Sequence, residues 1–243
     1  MLGVWQLVST AGLISVQKLP APSTIARTAI DLCTHDSAAY GTLQGAILAS
    51  LERFAVGFAL GASVAVVLAV VAGLSMRGEN AIDPLMQMLR TVPLFGLVPI
   101  FIVWFGIGQL PKYLLIALGA AIPLYLNTFA GIRGVDAKLG ELSRSLGLRR
   151  IEFLRNVVLP GALPSVLVGL RQSLGVAWLS LVVAEQLNTS SGLGFMIDQA
   201  TQFLQNNVIF VALLVYTVLG LVTDAFVRLV ERRALSWQRG LLS

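Results

Sequence analysis

The sequence predicts an all-α integral membrane protein of about six transmembrane helices, the first short or truncated. Three observations carry this. Hydrophobic residues make up 56% of the 243 residues and charged residues only 12%, about half the charged share of a soluble domain. Phe54 to Leu74 runs without a single charge, enough to cross roughly 30 Å of hydrocarbon. The Lys and Arg residues also gather in alternate connecting segments. With so little charge to cover a water-facing surface, a soluble enzyme, a disordered chain and a coiled coil are all excluded.

The spans follow in order. Met1 to Val16 is apolar but shorter than a span, and lacks the basic start and Ala-x-Ala site of a signal peptide. It is read as the outer part of a first helix. In the Phe54–Leu74 span, Gly57, Gly61 and Ala65 recur every fourth residue, giving a smooth face for close helix contact. Thr91 to Gly108 is the next expected span, with Pro93 and Pro99 inside it. Tyr113 to Ile132 follows, holding Pro123 and Asn127. Prolines are tolerated where neighbouring helices re-satisfy the freed carbonyls, so these spans belong inside a bundle. Leu163 to Ala184 contains Arg171, and Val208 to Val227 contains Asp224. No internal repeat divides the chain, so residues 1–243 are expected to form one domain.

Basic residues set the orientation. Arg77, Arg90, Arg133, Lys138, Arg144, Arg149, Arg150, Arg155, Arg228, Arg232, Arg233 and Arg239 fall on one side. Lys18, Arg27, Arg53 and Lys112 fall on the other, and 185–207 holds no Lys or Arg. The first side is the cytoplasm, which places both termini inside. The net charge of +5 belongs to these loops and does not imply nucleic acid. The single Cys33 and single His35 remove disulfide and most metal schemes and are read as bystanders. No phosphate-cradling Gly-Lys-Ser or Gly-Lys-Thr occurs.

The segment 133–162 is long, charged and patterned. Asp136 can cap a short helix with Leu139, Leu142 and Leu146 at helical spacing, ended by Gly147. A second short helix shows Ile151, Leu154 and Val158 on one side, and Pro160 opens the next span. Such apolar stripes outside the bilayer need cover. Pattern alone leaves two covers open: a partner protein, or lipid head groups contacted by an interfacial helix.

Glu141-Leu142-Ser143, then Gly147, then Val157-Val158-Leu159-Pro160 resembles the Glu-Ala-Ala…Gly…Ile-x-Leu-Pro loop of the inner-membrane permeases of bacterial ABC importers. Leu142 and Ser143 replace the two alanines, and Val157 the isoleucine. The likeness spans most of the chain: Leu19-Pro20-Ala21-Pro22-Ser23, Asp83-Pro84, Trp104-Phe105-Gly106-Ile107-Gly108, Leu159-Pro160-Gly161-Ala162-Leu163-Pro164, Gly169-Leu170-Arg171, Ala184-Glu185 and Ser191-Gly192-Leu193-Gly194. These resemble the nitrate/sulfonate/taurine permease group. Val4-Trp5-Gln6-Leu7 and Gln87-Met88-Leu89-Arg90 bring the likeness nearest to the aliphatic sulfonate permeases. Family members usually begin with more residues before the first helix.

The resemblance implies a type I (MetI-like) permease fold in the bacterial inner membrane. It implies a homodimer, a separate ABC ATPase that binds the ATP, and a periplasmic or lipid-anchored substrate-binding protein, with no cofactor or metal on this chain. It makes 133–162 the coupling loop, with Glu141, Leu142, Ser143, Leu146, Gly147, Leu159 and Pro160 at the ATPase contact. Nitrate, taurine and pyrimidines remain alternative substrates. An ion-coupled secondary transporter is the alternative of another class, but it calls for paired membrane carboxylates and repeats. Arg171, Trp178 and Glu185 lie seven residues apart on one helix face. Two readings of Arg171 stand: attraction of an anion in a translocation path, or a structural charge paired across helices. Trp178 is read as a packing or gating residue and Glu185 as structural at the outer end. Asp224 and Arg228 are spaced for a local ion pair.

Overall fold

The computed structural model describes residues 5, 6, 9, 19–37, 39–186 and 189–235. The side chains of Glu141, Arg144 and Arg150 also fall outside that set. Most of the Met1–Val16 stretch lies outside the described residues, as do Lys18, Trp237 and Arg239.

The described chain is helical: α1 Pro22–Thr34, α2 Leu43–Leu74, α3 Met76–Thr91, α4 Val98–Phe105, α5 Leu110–Arg133, α6 Ala137–Ser145, α7 Arg150–Phe153, α8 Leu159–Gln186, α9 Leu193–Gln202 and α10 Asn206–Ala234. Four stretches are long and apolar enough to cross a membrane: α2, α5, Ile151–Gln186 and α10. A bent pair, α3 with Leu94–Phe105, makes a fifth if counted as one span.

That bent pair corrects the expected straight span over 91–108. Its two arms meet at 94°. Pro93 cannot continue α3 and biases Val92 to extended backbone, seen at φ −72° and ψ 128°. A 3-10 turn over Leu94–Leu97 then leads into α4, with Pro99 in its first turn. The segment 75–90, which carries Arg77 and Arg90 between two expected spans, is not an irregular connection but the amphipathic α3. Ser75 ends α2 and caps α3, accepting from the Gly78 amide at 3.3 Å.

At the centre is α5, with 61% of its apolar window buried against 28% for α2 and 17% for α10. The small face of α2 packs on it. Gly57, Gly61, Ala65, Ala69 and Gly73 are all buried, and a Cβ on Gly61 would run into the Ala117 carbonyl. Facing pairs fix the directions. Gly57 meets Ile116 and Gly73 meets Ile132, so α2 and α5 are parallel. Gly131 meets Ala162 and Gly169 meets Leu124, so α8 runs back along α5. Trp178 bonds Thr223 and Glu185 bonds Tyr216, so α10 is antiparallel to α8. Leu74, Arg133, the 137–158 segment and Ala234 therefore share one end of the bundle. Two residues counted from sequence as outer-side charges, Arg53 and Lys112, are buried within α2 and α5.

Candidate coupling surface and translocation path

The end of the bundle beyond Arg133 is built by local signals. The Asp136 carboxylate accepts from the Lys138 amide at 2.9 Å and starts α6. Gly147 adopts φ +68°, and the Leu148 amide reaches back to the Ser143 carbonyl at 3.0 Å. This is a left-handed helix stop that glycine accepts cheaply. The Glu152 carboxylate accepts from the Arg149 amide at 2.8 Å and starts α7.

Along this segment Leu142 is 55%, Leu146 67% and Ile151 77% exposed, and Leu139, Leu148 and Leu159 are exposed too. Ser143 is buried, and Pro160 is half-buried at the second position of α8. The expected Ile151–Leu154–Val158 stripe divides. Val158 and Leu154 pack on Ile132 and Ala162, while Ile151 points to solvent. The second short helix also does not stand apart. A π-helical stretch over Leu154–Val158 joins α7 to α8, and the helix runs from Ile151 to Gln186.

The three spaced residues of α8 face α2 and α10. Arg171 is paired with Asp224 at 3.1 Å and Glu231 at 3.2 Å, and Asp224 also holds Arg228 at 3.0 Å. Trp178 stacks on Phe54 with ring centroids 4.1 Å apart and donates to Thr223 at 3.1 Å. Arg171, Trp178 and Asp224 border a groove of about 450 Å³ between α8 and α10; Glu185 does not border it.

Glu185 is fully buried and gathers three other elements around α8. It accepts from Arg53 of α2 at 2.6 Å, Ser50 of α2 at 2.7 Å, Tyr216 of α10 at 2.9 Å and the Gly194 amide of α9 at 3.0 Å. Arg53 further donates to the Ser191 carbonyl at 2.8 Å, the Ser191 hydroxyl at 2.7 Å and Gln109 at 2.8 Å. The Leu193 amide donates to Ser50 at 2.9 Å. Two otherwise orphan donors at the start of α9 are thereby satisfied. Gly192, at φ +111°, lies so close to Glu185 and Arg53 that a Cβ would collide with both.

Residues 61–236 match the family model described as binding-protein-dependent transport system inner membrane component. The chain belongs to this family. Over 238 residues it is 47% identical to the putative aliphatic sulfonates transport permease protein of Bacillus subtilis, covering 98% of this chain and 84% of the relative. It is 41% identical to the Escherichia coli protein of the same description, over 98% and 88%. The taurine transport system permease protein of Escherichia coli is 33% identical, over 98% and 86%. An amino acid ABC transporter solved with histidines superposes with TM-score 0.65 at 19% identity, covering 77% of this chain and 92% of that one. The inward-facing MetNI methionine transporter gives TM-score 0.60 at 19% identity, over 77% and 95%. The permease thus has the type I importer fold and is an inner-membrane component.

Sequence reasoning found Glu185 in this permease but not its partners. Arg53 was assigned to an outer flank because it immediately precedes the uncharged run. The available signal was a cation at the start of one apolar run and a carboxylate at the end of another.

Proposed function

We propose that this permease imports aliphatic sulfonates, or closely related small organic anions, as one half of a two-fold dimer. A separate ABC ATPase supplies the energy, and a periplasmic or lipid-anchored binding protein delivers the substrate. The relatives at 47% and 41% identity, both described as putative aliphatic sulfonates transport permeases, support the substrate class. The observation that carries the energy coupling is the row of exposed apolar side chains Leu139, Leu142, Leu146, Leu148 and Ile151, at the end of the bundle where the long helix begins.

In this reading Leu142 and Leu146 anchor the ATPase contact, Glu141 supplies a charge there, and Gly147 sets the turn between the two helices. Leu159 and Pro160 lead the contact into α8. Burying each leucine contributes roughly 1.5–3 kcal/mol. The helix from Ile151 to Gln186 has 36 residues, about 54 Å at 1.5 Å per residue. It acts as a rod: closure of the ATPases displaces the 137–150 segment, and Glu185 at the far end carries the displacement to Arg53 and the 189–192 segment. Two packed arrangements of the spans then alternate access, a rigid-body transition. ATP is bound by the partner subunit.

The test is co-purification with the partner ATPase, followed by ATP hydrolysis with binding protein loaded in turn with alkanesulfonate, taurine or nitrate. Stimulation greatest with alkanesulfonate supports the reading. A chain that holds no ATPase, or hydrolysis stimulated only by nitrate, contradicts it.

A further inference from the structure

An open cavity of about 490 Å³ lies between α5, α8 and the corner at Val92–Leu94, away from the face that carries Arg171, with Arg90 and Gln172 exposed at it. Three polar side chains line it: Arg90, Asn127 and Gln172. Ile122, Leu126 and Val176 supply apolar wall, and no carboxylate is among the described residues that line it.

Arg90 closes the last turn of α3, where a cation ordinarily serves the terminal carbonyls. Here the Met88 carbonyl already accepts from the Thr91 hydroxyl at 2.7 Å, and the Leu89 carbonyl from the Val92 amide at 3.2 Å. Among the described residues Arg90 makes no ion pair. Arg171 differs, because two carboxylates already neutralise it. Asn127 donates to the Pro123 carbonyl at 2.8 Å and to the Gln172 side-chain oxygen at 3.0 Å. That second bond occupies the acceptor of Gln172 and leaves its NH₂ group as the available end. The cavity therefore offers an unneutralised guanidinium and an oriented amide donor beside a hydrocarbon wall.

We propose that this cavity is an anion subsite of the permease that accepts alkyl sulfonates and discriminates against their aminated counterparts. The proposal rests on the sulfonate-import reading. A sulfonate head is ionised at all physiological pH and presents three acceptor oxygens, matching a site of donors. Its alkyl tail fits against Ile122, Leu126 and Val176. An ammonium on that tail, as in taurine, finds no carboxylate and must be desolvated against apolar side chains.

The probe is 3,3,3-trifluoropropane-1-sulfonate, followed by fluorine NMR line broadening. The sample is the full permease–ATPase complex in nanodiscs without binding protein, and uptake with binding protein is measured in parallel. Wild type is expected to bind the probe, with taurine competing at least about tenfold more weakly than propane-1-sulfonate. Arg90→Gln is expected to weaken the probe by about tenfold or more, the scale of a lost charged hydrogen bond. Gln172→Glu, nearly isosteric, is expected to weaken the probe and raise the relative competition by taurine about tenfold. Arg27→Gln, on the exposed face of α1, is expected to change neither. If wild type imports sulfonate but binds no probe, or if both cavity variants bind and discriminate like wild type, the subsite is overturned and the import reading stands. If the wild-type complex neither binds the probe nor imports any sulfonate, the import reading falls and takes the subsite with it.

Discussion

Replacing Arg53 with Met tests whether the buried charge cluster holds together the end of the bundle opposite the 137–158 segment. The substitution keeps much of the side-chain length and removes the guanidinium. Glu185, with no exposed surface, then loses its direct ion-pair partner, and the buried Lys112 remains as the nearby cation. Ser50, Tyr216 and the Gly194 amide still donate to it, so the carboxylate keeps hydrogen bonds but has no cation in direct contact. Breaking one side of a buried ion pair costs about 3–5 kcal/mol. Ser191 also loses both of its Arg53 bonds, at about 1.5–3 kcal/mol for each bond to a charged group. These losses, with that of the Gln109 bond, share one network and do not add. The expected loss is therefore about 3–5 kcal/mol for Arg53→Met and similar for Glu185→Leu. The double variant recovers part of this, because replacing both charges removes the unpaired one. The assay is reversible denaturation of the four members of the cycle in the same detergent. A coupling below about 0.5 kcal/mol, the range of independent sites, would refute the reasoning.

Three further perturbations follow from the same structure. Gly147→Val forces a β-branched residue to φ +68°; nothing lies within 4 Å of its Cβ, so the cost is backbone strain of about 1–2 kcal/mol. It should loosen the ATPase in pull-down while the permease stays inserted, and Gly147→Asn should retain most binding. Leu142→Ser with Leu146→Ser should weaken ATPase binding by about 3–6 kcal/mol if both side chains are buried on docking, yet leave the isolated permease's melting temperature unchanged because both are exposed. Gly192→Ala should destabilise the permease and expose the 189–192 segment to proteolysis, because its Cβ meets Glu185 and Arg53.

What could be read from sequence depended on how local the signal was. The Phe54–Leu74 span and its small face were legible because the apolar run and the four-residue spacing are both short-range. Helix α6 was legible for the same reason: Asp136, the leucine spacing and Gly147 are its start, face and stop. The bend at Pro93 was missed because prolines are tolerated inside spans, and composition does not separate a tolerated proline from a broken helix. The amphipathic α3 read as a connection because Arg77, Glu79 and Asp83 lower its hydropathy. Arg133 answers that charge in space by pairing with Glu79. The Arg53–Glu185 pair joins positions 132 residues apart, a separation at which spacing in the sequence carries no information. The cavity at Arg90, Asn127 and Gln172 draws on three separate elements and was invisible for the same reason.

Uptake by proteoliposomes tests the central claim most directly. The vesicles hold the permease and its ATPase, with ATP inside and sulfonate-loaded binding protein outside. The account predicts accumulation of alkanesulfonate that needs ATP and the binding protein, and that disappears with Leu142→Ser/Leu146→Ser although the permease remains in the membrane. Accumulation driven by a proton or sodium gradient without the ATPase, or full ATP-driven uptake by the double serine variant, would contradict it.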